Sequence, residues 1–193
     1  MIFKRLTNSE DKIYEKAMEL YSKSFPIYEQ RLPERQKKIM TEPEYNFLLI
    51  FDGDEWIGEL LCWETEDFIY VEHFCTLPEM RGRGCGAQVL SLLGERKKTV
   101  ILEIDPPNDE VSVRRKAFYE RAGYRANPFE HIHPPYRGEY KGHKLVVMTC
   151  PTAISENEYK NFNSYLENVV MKKITSRGFF VIFNKQRQNF LSC

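Results

Sequence analysis

Neither sign of charge is in excess along this 193-residue chain, which carries 28 Lys+Arg and 28 Asp+Glu. A protein built to hold nucleic acid shows a basic surface, and nothing here favours one. No apolar run approaches the roughly 18 residues of a membrane span. Met1 to Leu6 lacks the apolar centre of about 7–15 residues that a secretory leader requires. The cysteines (Cys62, Cys75, Cys85, Cys150 and Cys193) are scattered, odd in number and never spaced C-x-x-C. That excludes a regular disulfide framework and suits reduced thiols in a cytoplasm. There is no internal repeat and no low-complexity linker. These absences lead us to expect a cytoplasmic chain with neither nucleic acid nor membrane as partner, folded as one domain with a proper core. Rings, by contrast, are plentiful, with 13 Phe and 11 Tyr.

The stretch from Asp67 to Lys98 organises the rest. Phe68 to Thr76 is apolar and β-branched or aromatic at most positions, which predicts a strand, and Pro78 ends it. Arg81, Gly82, Arg83, Gly84, Cys85 and Gly86 follow. From Ala87 an apolar stripe through Val89, Leu90, Leu92 and Leu93 predicts a helix. Glycines ahead of a helix let backbone amides crowd together at the positive end of its dipole, which makes an anion site. Arg81 and Arg83 add charge that suits a phosphate.

Two arrangements use such residues. Gly82, Gly84 and Ala87 match the dinucleotide pattern G-x-G-x-x-G/A, with Glu103 or Asp105 as the acid about 20 residues on. Against it, Leu77 to Arg81 separate the first glycine from the strand, and some 80 residues precede the motif. The other arrangement is R/Q-x-x-G-x-G/A, here Arg81, Gly84 and Gly86. Together with RRKAFYERAGY at Arg114 to Tyr124, one helix and one strand later, it resembles the acyl-CoA motifs of the GNAT acyltransferase superfamily. The resemblance covers roughly residues 1–150, with 151–193 as an extension.

Read in order, Ile2 to Leu6 is a strand. Thr7 and Glu10 have capping-box spacing ahead of a helix with Ile13, Ala17, Leu20 and Tyr21 on one face. Ile27 to Glu44 is polar and broken by prolines. Tyr45 to Phe51 and Trp56 to Trp63 are strands about an Asp52-Gly53-Asp54 turn, and Thr99 to Asp105 is another. Val111 to Ala122 is a helix stopped by Gly123. A strand starts at Tyr124, and Asn127 to Gly142 is irregular. Lys144 to Thr149 is the last strong strand. Antiparallel strands followed by a β-turn-α-β crossover predict an α+β fold with a mixed sheet flanked by helices. Ser155 to Lys173 is amphipathic, with Tyr159, Phe162, Leu166, Val169 and Val170 on a face that must bury on the same sheet or across a homodimer. Phe179 to Phe183 suits a strand.

The resemblance implies a co-substrate and roles. Acetyl-CoA would be the donor, its pyrophosphate on the amides of Arg81, Gly82, Arg83, Gly84, Cys85 and Gly86. Its pantetheine arm would lie along Phe74, Cys75 and Thr76, in a gap where this strand splays from the next. An N–H there would polarise the thioester carbonyl. Tyr119 would touch the donor and act as general acid, since a tyrosine is protonated at pH 7 and can supply the departing thiolate. Ser112 stands where the family usually has an Asn that contacts the donor, which leaves that contact open. The product would be an acetylated primary amine, formed by direct attack. A non-catalytic acyl-CoA sensor of the same fold is the alternative.

An alkylamine with a pKa of about 10.4 needs a base at neutral pH. Glu72 and Glu103 lie on otherwise apolar strands, where burial would raise a carboxyl pKa towards that task. Alternation puts Glu72 on the side of Phe74 and Thr76, and either residue could instead be salt-bridged or outward-facing. His131, His133 and His143 have no Cys or acid at a recognised spacing, so no metal is expected. Their loop, with Phe25 to Leu32, is expected to line the acceptor pocket by analogy with the fold.

Overall fold

One mixed sheet organises residues 1–172, which are the residues described by the computed structural model. The elements run β1 (Ile2–Leu6), α1 (Tyr14–Ser24), α2 (Pro33–Ile39), β2 (Tyr45–Asp52), β3 (Glu55–Glu64), β4 (Phe68–Thr76), α3 (Cys85–Gly94) and β5 (Thr99–Ile104). They continue with α4 (Glu110–Arg121), β6 (Arg125–Ala126), β7 (His131–His133), β8 (His143–Cys150) and α5 (Glu156–Tyr165). The strand order is β1-β2-β3-β4-β5-β8-β6, with β7 also on β8. Only β4 and β5 are parallel, as the crossover through α3 requires.

The two faces of the sheet carry separate cores. On one, Ala17, Leu20 and Tyr21 of α1 meet Tyr45, Trp63 and Tyr70, and α5 adds Phe162. On the other, Val89, Leu90 and Leu93 of α3 meet Ile57, Ile69, Val100 and Leu102, with Phe118 and Tyr119 of α4 at the margin. Because both faces are covered, the central strands are buried almost end to end, and they read as apolar runs interrupted by Glu59, Glu72 and Glu103.

Four local expectations are corrected. Thr7 and Glu10 form no capping box. Asp11 instead forms the turn leading into α1, its carboxylate accepting from Ile13 N (3.1 Å) and its carbonyl from Tyr14 N (2.9 Å), and Ile13 is the N-cap, without a side-chain cap. Within the stretch expected to be irregular, His131 to His133 pair with β8. The last helix gains its capping box at Ser155 and Glu158 but changes to a π-turn over Leu166–Val170. That wider turn brings Leu166, Val170 and Met171 into the core and leaves Val169 39% exposed. Fourth, Glu72 is not on the side of Phe74 and Thr76. β3 and β4 slip by one residue, Leu61 pairing with His73 and Cys62 with Val71, so Glu72 is the extra residue of a bulge. A bulge breaks alternation and turns its residue onto the opposite face.

The apolar stripe of α5 is covered by its own chain: the Phe162 ring lies 5.2 Å from Tyr70 and 6.0 Å from Phe68. The expected strand Phe179 to Phe183 and the expected helix end at Lys173 lie outside the described residues.

Candidate active site

The bulge at Glu72 has a second effect, because bulges increase twist. β4 pairs with β5 only from Phe68 to Val71, against Thr99 to Leu102. Beyond that point its other edge stays on β3 as far as the Gly58–Thr76 pair. Phe74, Cys75 and Thr76 therefore turn one unpaired backbone edge towards Glu103 and Ile104. Gly58 makes the β3 side of this possible, since a Cβ there would sit 2.4 Å from the Cys75 carbonyl oxygen. A cavity of about 740 Å³ fills the opening, a size suited to a small-molecule ligand.

One end of the cavity is the glycine turn. Gly84 has φ +80° and is the N-cap of α3, with no side chain capping the helix. The left-handed region is natural for glycine and strained for other residues. The Gln88 N–H closes the first turn onto the Gly84 carbonyl (3.2 Å). The amides of Cys85, Gly86 and Ala87 therefore precede the helical ladder, as at any helix start. With the helix dipole they form an anion cradle. Arg81, Gly82, Gly84, Cys85 and Gly86 border the cavity. Arg83 does not, and its guanidinium lies 3.1 Å from Met80 Sδ. Ser112 is also elsewhere. It is buried at the start of α4, where its hydroxyl accepts from Asp109 N (3.1 Å) while Asp109 Oδ1 accepts from Ser112 N (2.9 Å). A side chain spent on its own helix cap is not available to a ligand.

Tyr119 reaches the cavity from α4, its ring 5.1 Å from Phe118 and 5.8 Å from Tyr124. Burial pushes its hydroxyl above the ordinary tyrosine pKa, so it keeps its proton over a wider pH range. Cys75 borders the same space with its thiol 3.7 Å from a Glu59 carboxylate oxygen. Burial first, and Glu59 second, push that thiol up, which opposes the thiolate a nucleophile needs. Glu59 is fully buried without a cation, and desolvation lifts its carboxyl to about 8.

The two carboxylates expected to serve as base are both committed. Glu72 accepts from Arg31 (2.7 Å) and from Trp63 Nε1 (2.8 Å). Burial alone would raise its pKa, but Arg31, His73 and Trp63 hold it below the usual value. Glu103 accepts from the Tyr70 hydroxyl and is held by His131 Nε2, with His133 Nε2 3.8 Å away. Burial is again outweighed, here by His133, His131 and Tyr70, and the carboxyl is depressed. A depressed carboxylate is a weak proton acceptor, so apolar neighbours in the sequence did not have the effect assigned to them.

The opposite wall of the cavity comes from distant segments. Phe25, Tyr28 and Glu29 line it together with His133, Tyr136 and His143. His133 stacks on Tyr136 (4.9 Å). His131 is fixed through Nδ1 to the Tyr159 hydroxyl of α5 (3.1 Å). Among the described residues no group of three His, Cys, Asp or Glu is arranged to hold a metal ion, and no helix is long and apolar enough to cross a membrane. At the sequence level Glu29 is included only within the Phe25 to Leu32 segment and not singled out; it sits in a polar, proline-broken stretch with no motif around it.

Comparison with known proteins matches residues 43–126 to the model for the acetyltransferase (GNAT) domain. A solved structure titled "Putative acetyltransferase from GNAT family from Bacteroides thetaiotaomicron" is 30% identical, covering 90% of this chain and 99% of that one with a TM-score of 0.84. The curated "Putative acetyltransferase YjbC" of Bacillus subtilis (strain 168) is 26% identical over 110 residues. That alignment spans 55% of this chain and 55% of the relative, about half its length. A Bacillus subtilis acetyltransferase solved in complex with CoA shares the fold at 13% identity, over 77% of this chain and 95% of that one, with a TM-score of 0.51.

Proposed function

Since the chain belongs to the GNAT family of acetyltransferases, we propose that it moves an acetyl group from acetyl-CoA directly to a primary amine within a ternary complex. The observation that carries this reading is the unpaired edge of β4, which runs from the α3 cradle towards Tyr119 and the carboxylates. The pyrophosphate would sit on the amides of the Gly84–Gly86 turn beside Arg81. Charge-assisted bonds of this kind are worth about 1.5–3 kcal/mol each, so three or four, after binding costs, account for a micromolar Kd of about 8 kcal/mol. The pantetheine arm would pair with the free edge at Phe74 to Thr76, and a backbone N–H there would hold the thioester carbonyl. As the C–S bond breaks, Tyr119 would protonate the sulfur.

The test is thiol release from acetyl-CoA with a panel of an arylalkylamine, a polyamine, an amino acid and a peptide with a free N-terminus. Turnover of at least one of them, saturable in both substrates with intersecting double-reciprocal lines, is expected. Calorimetric binding of acetyl-CoA with no turnover on the panel would make the chain an acyl-CoA sensor and overturn the reading; parallel lines would replace direct transfer with a covalent intermediate.

A further inference from the structure

Four carboxylates border the cavity: Glu29, Glu72, Glu103 and Asp105. Three are committed. Glu72 is paired with Arg31 and bonded by Trp63, and Glu103 is held by Tyr70 and His131. Asp105 is paired with Arg115 at 2.6 Å. Glu29 alone makes no hydrogen bond or ion pair through its carboxylate among the described residues.

Its backbone, in contrast, is tightly held. The Glu29 carbonyl accepts from His73 Nε2 (2.9 Å) and from the Tyr21 hydroxyl (3.4 Å). Its own N–H donates to the Pro26 carbonyl (2.9 Å). The next residues are pinned as well: Gln30 Nε2 donates to the Phe25 carbonyl (2.6 Å), and Arg137 Nε donates to the Gln30 carbonyl (2.9 Å). Burial pushes the His73 imidazole down to about 4, so at neutral pH it stays an uncharged donor to that carbonyl. A free carboxylate on a fixed turn is the arrangement a proton acceptor needs, since position is set by the scaffold and the lone pairs are left open.

We infer that Glu29 is the general base that removes the proton of the acceptor amine. This rests on the acetyl-transfer reading above and adds the group that completes it. As the N–C bond forms, the nitrogen gives a proton to the Glu29 carboxylate. As the C–S bond breaks, the sulfur takes one from Tyr119. Solvent returns the proton from Glu29 to Tyr119, leaving the amide and free CoA thiol. The charged and titratable groups facing Glu29 are Tyr28 beside it, His73 on β4, Asp105 on β5, Arg115 on α4 and His143 on β8. Burial, helped by Asp105 and opposed by Arg115, lifts the Glu29 carboxyl to about 7, which is where a base working at neutral pH performs best.

The experiment compares the full-length protein with Glu29→Gln and Glu29→Asp, using the panel amine of highest turnover. Glu29→Gln should bind acetyl-CoA with an unchanged calorimetric Kd and lose roughly a hundredfold or more in kcat. Below about pH 7 the slope of log kcat/KM against pH should fall by one in the variant, and Glu29→Asp should recover part of the rate. A rise in KM alone, with kcat and the pH slope unchanged, makes Glu29 a recognition carboxylate and overturns the proposal. A separate ¹³C NMR titration of the Glu29 carboxyl needs no amine. A midpoint near 7 is expected, and one near 4.5, the ordinary glutamate value, overturns the assignment. If the wild-type protein acetylates nothing on the panel, the acetyl-transfer reading has failed; if it turns over and Glu29→Gln matches it, only Glu29 has.

Discussion

The two halves of the cavity are built in opposite ways. The half proposed for the donor is nearly continuous in sequence: Phe74 to Gly86 supplies strand edge and cradle, and Tyr119 comes from a second short motif. Its chemistry is backbone chemistry, amides at a helix start and along an unpaired strand. The half proposed for the acceptor is assembled from Phe25, Pro26, Tyr28, Glu29, His133, Tyr136 and His143, and it presents mainly side chains. It is also braced by the C-terminal segment. Arg31 donates to the Val170 carbonyl (2.9 Å), and Tyr159 holds His131. A helix start binds phosphate wherever the local turn is right, whereas a pocket of side chains exists only once distant segments have docked.

The largest expected effect tests that bracing. Cutting the chain after Pro151 uncovers Phe68, Tyr70 and Trp63, on which Phe162 and Tyr165 pack. The truncated protein should aggregate or change oligomeric state in light scattering. If it stays soluble with the same particle mass and the same melting point, α5 braces nothing.

Gly84→Asp should break the donor half alone. It forces an aspartate to φ +80° and sets a carboxylate against a phosphate. Loss of two charge-assisted bonds, about 3 kcal/mol or more, should weaken acetyl-CoA binding over a hundredfold by calorimetry. A Kd within tenfold of wild type would mean that the cradle lies elsewhere.

Tyr119→Phe keeps the ring and removes the acid. Acetyl-CoA should bind normally while kcat drops roughly a hundredfold. Because burial raises the Tyr119 pKa, the falling limb of wild-type activity should lie above the ordinary tyrosine value of about 10. A variant with more than about a tenth of the wild-type rate, with chemistry limiting, would exonerate Tyr119.

The smallest effect concerns Glu59, beneath Cys75. Its folded carboxyl pKa, about 8, stands above its unfolded value of 4.5. The native state therefore holds a proton that the unfolded chain has lost, and the contribution, full below pH 4.5, fades as pH rises towards 8. Glu59→Gln removes that dependence. Relative to wild type, the variant should gain on the order of 2 kcal/mol between pH 5 and pH 6.5 in urea melts. Equal pH slopes for both proteins would show that Glu59 is charged in the fold.

Legibility follows the same division. The strand, the glycine turn and both α3 and α4 could be read directly, because local propensity and tertiary placement agree there. The acceptor wall was read only as two loops. Glu72 was misplaced because alternation holds only for a regular strand, and the slip between Leu61 and Cys62 that makes the bulge depends on how β3 pairs with β4. For Glu103 the sequence left open a raised carboxyl or a salt bridge, and could not choose for a related reason. Val100 to Ile104 reads as an apolar strand, but the imidazole that binds Glu103 arrives from β7, which pairs with β8 and lies 28 residues along the chain.

By itself, then, the order of residues determined the α+β pattern, the crossover and the helix-start cradle, since each depends on contacts a few residues apart or on a steep apolar pattern; the tyrosine of α4 was picked out by the resemblance of its motif. Only the tertiary structure decided where β4 leaves β5, that Arg31 neutralises Glu72, and that Glu29, of the four carboxylates bordering the cavity, is the one with no partner among the described residues. Proton affinity depends on burial and on charges that come near through folding, and neither can be assigned to a residue until the chain has closed around it.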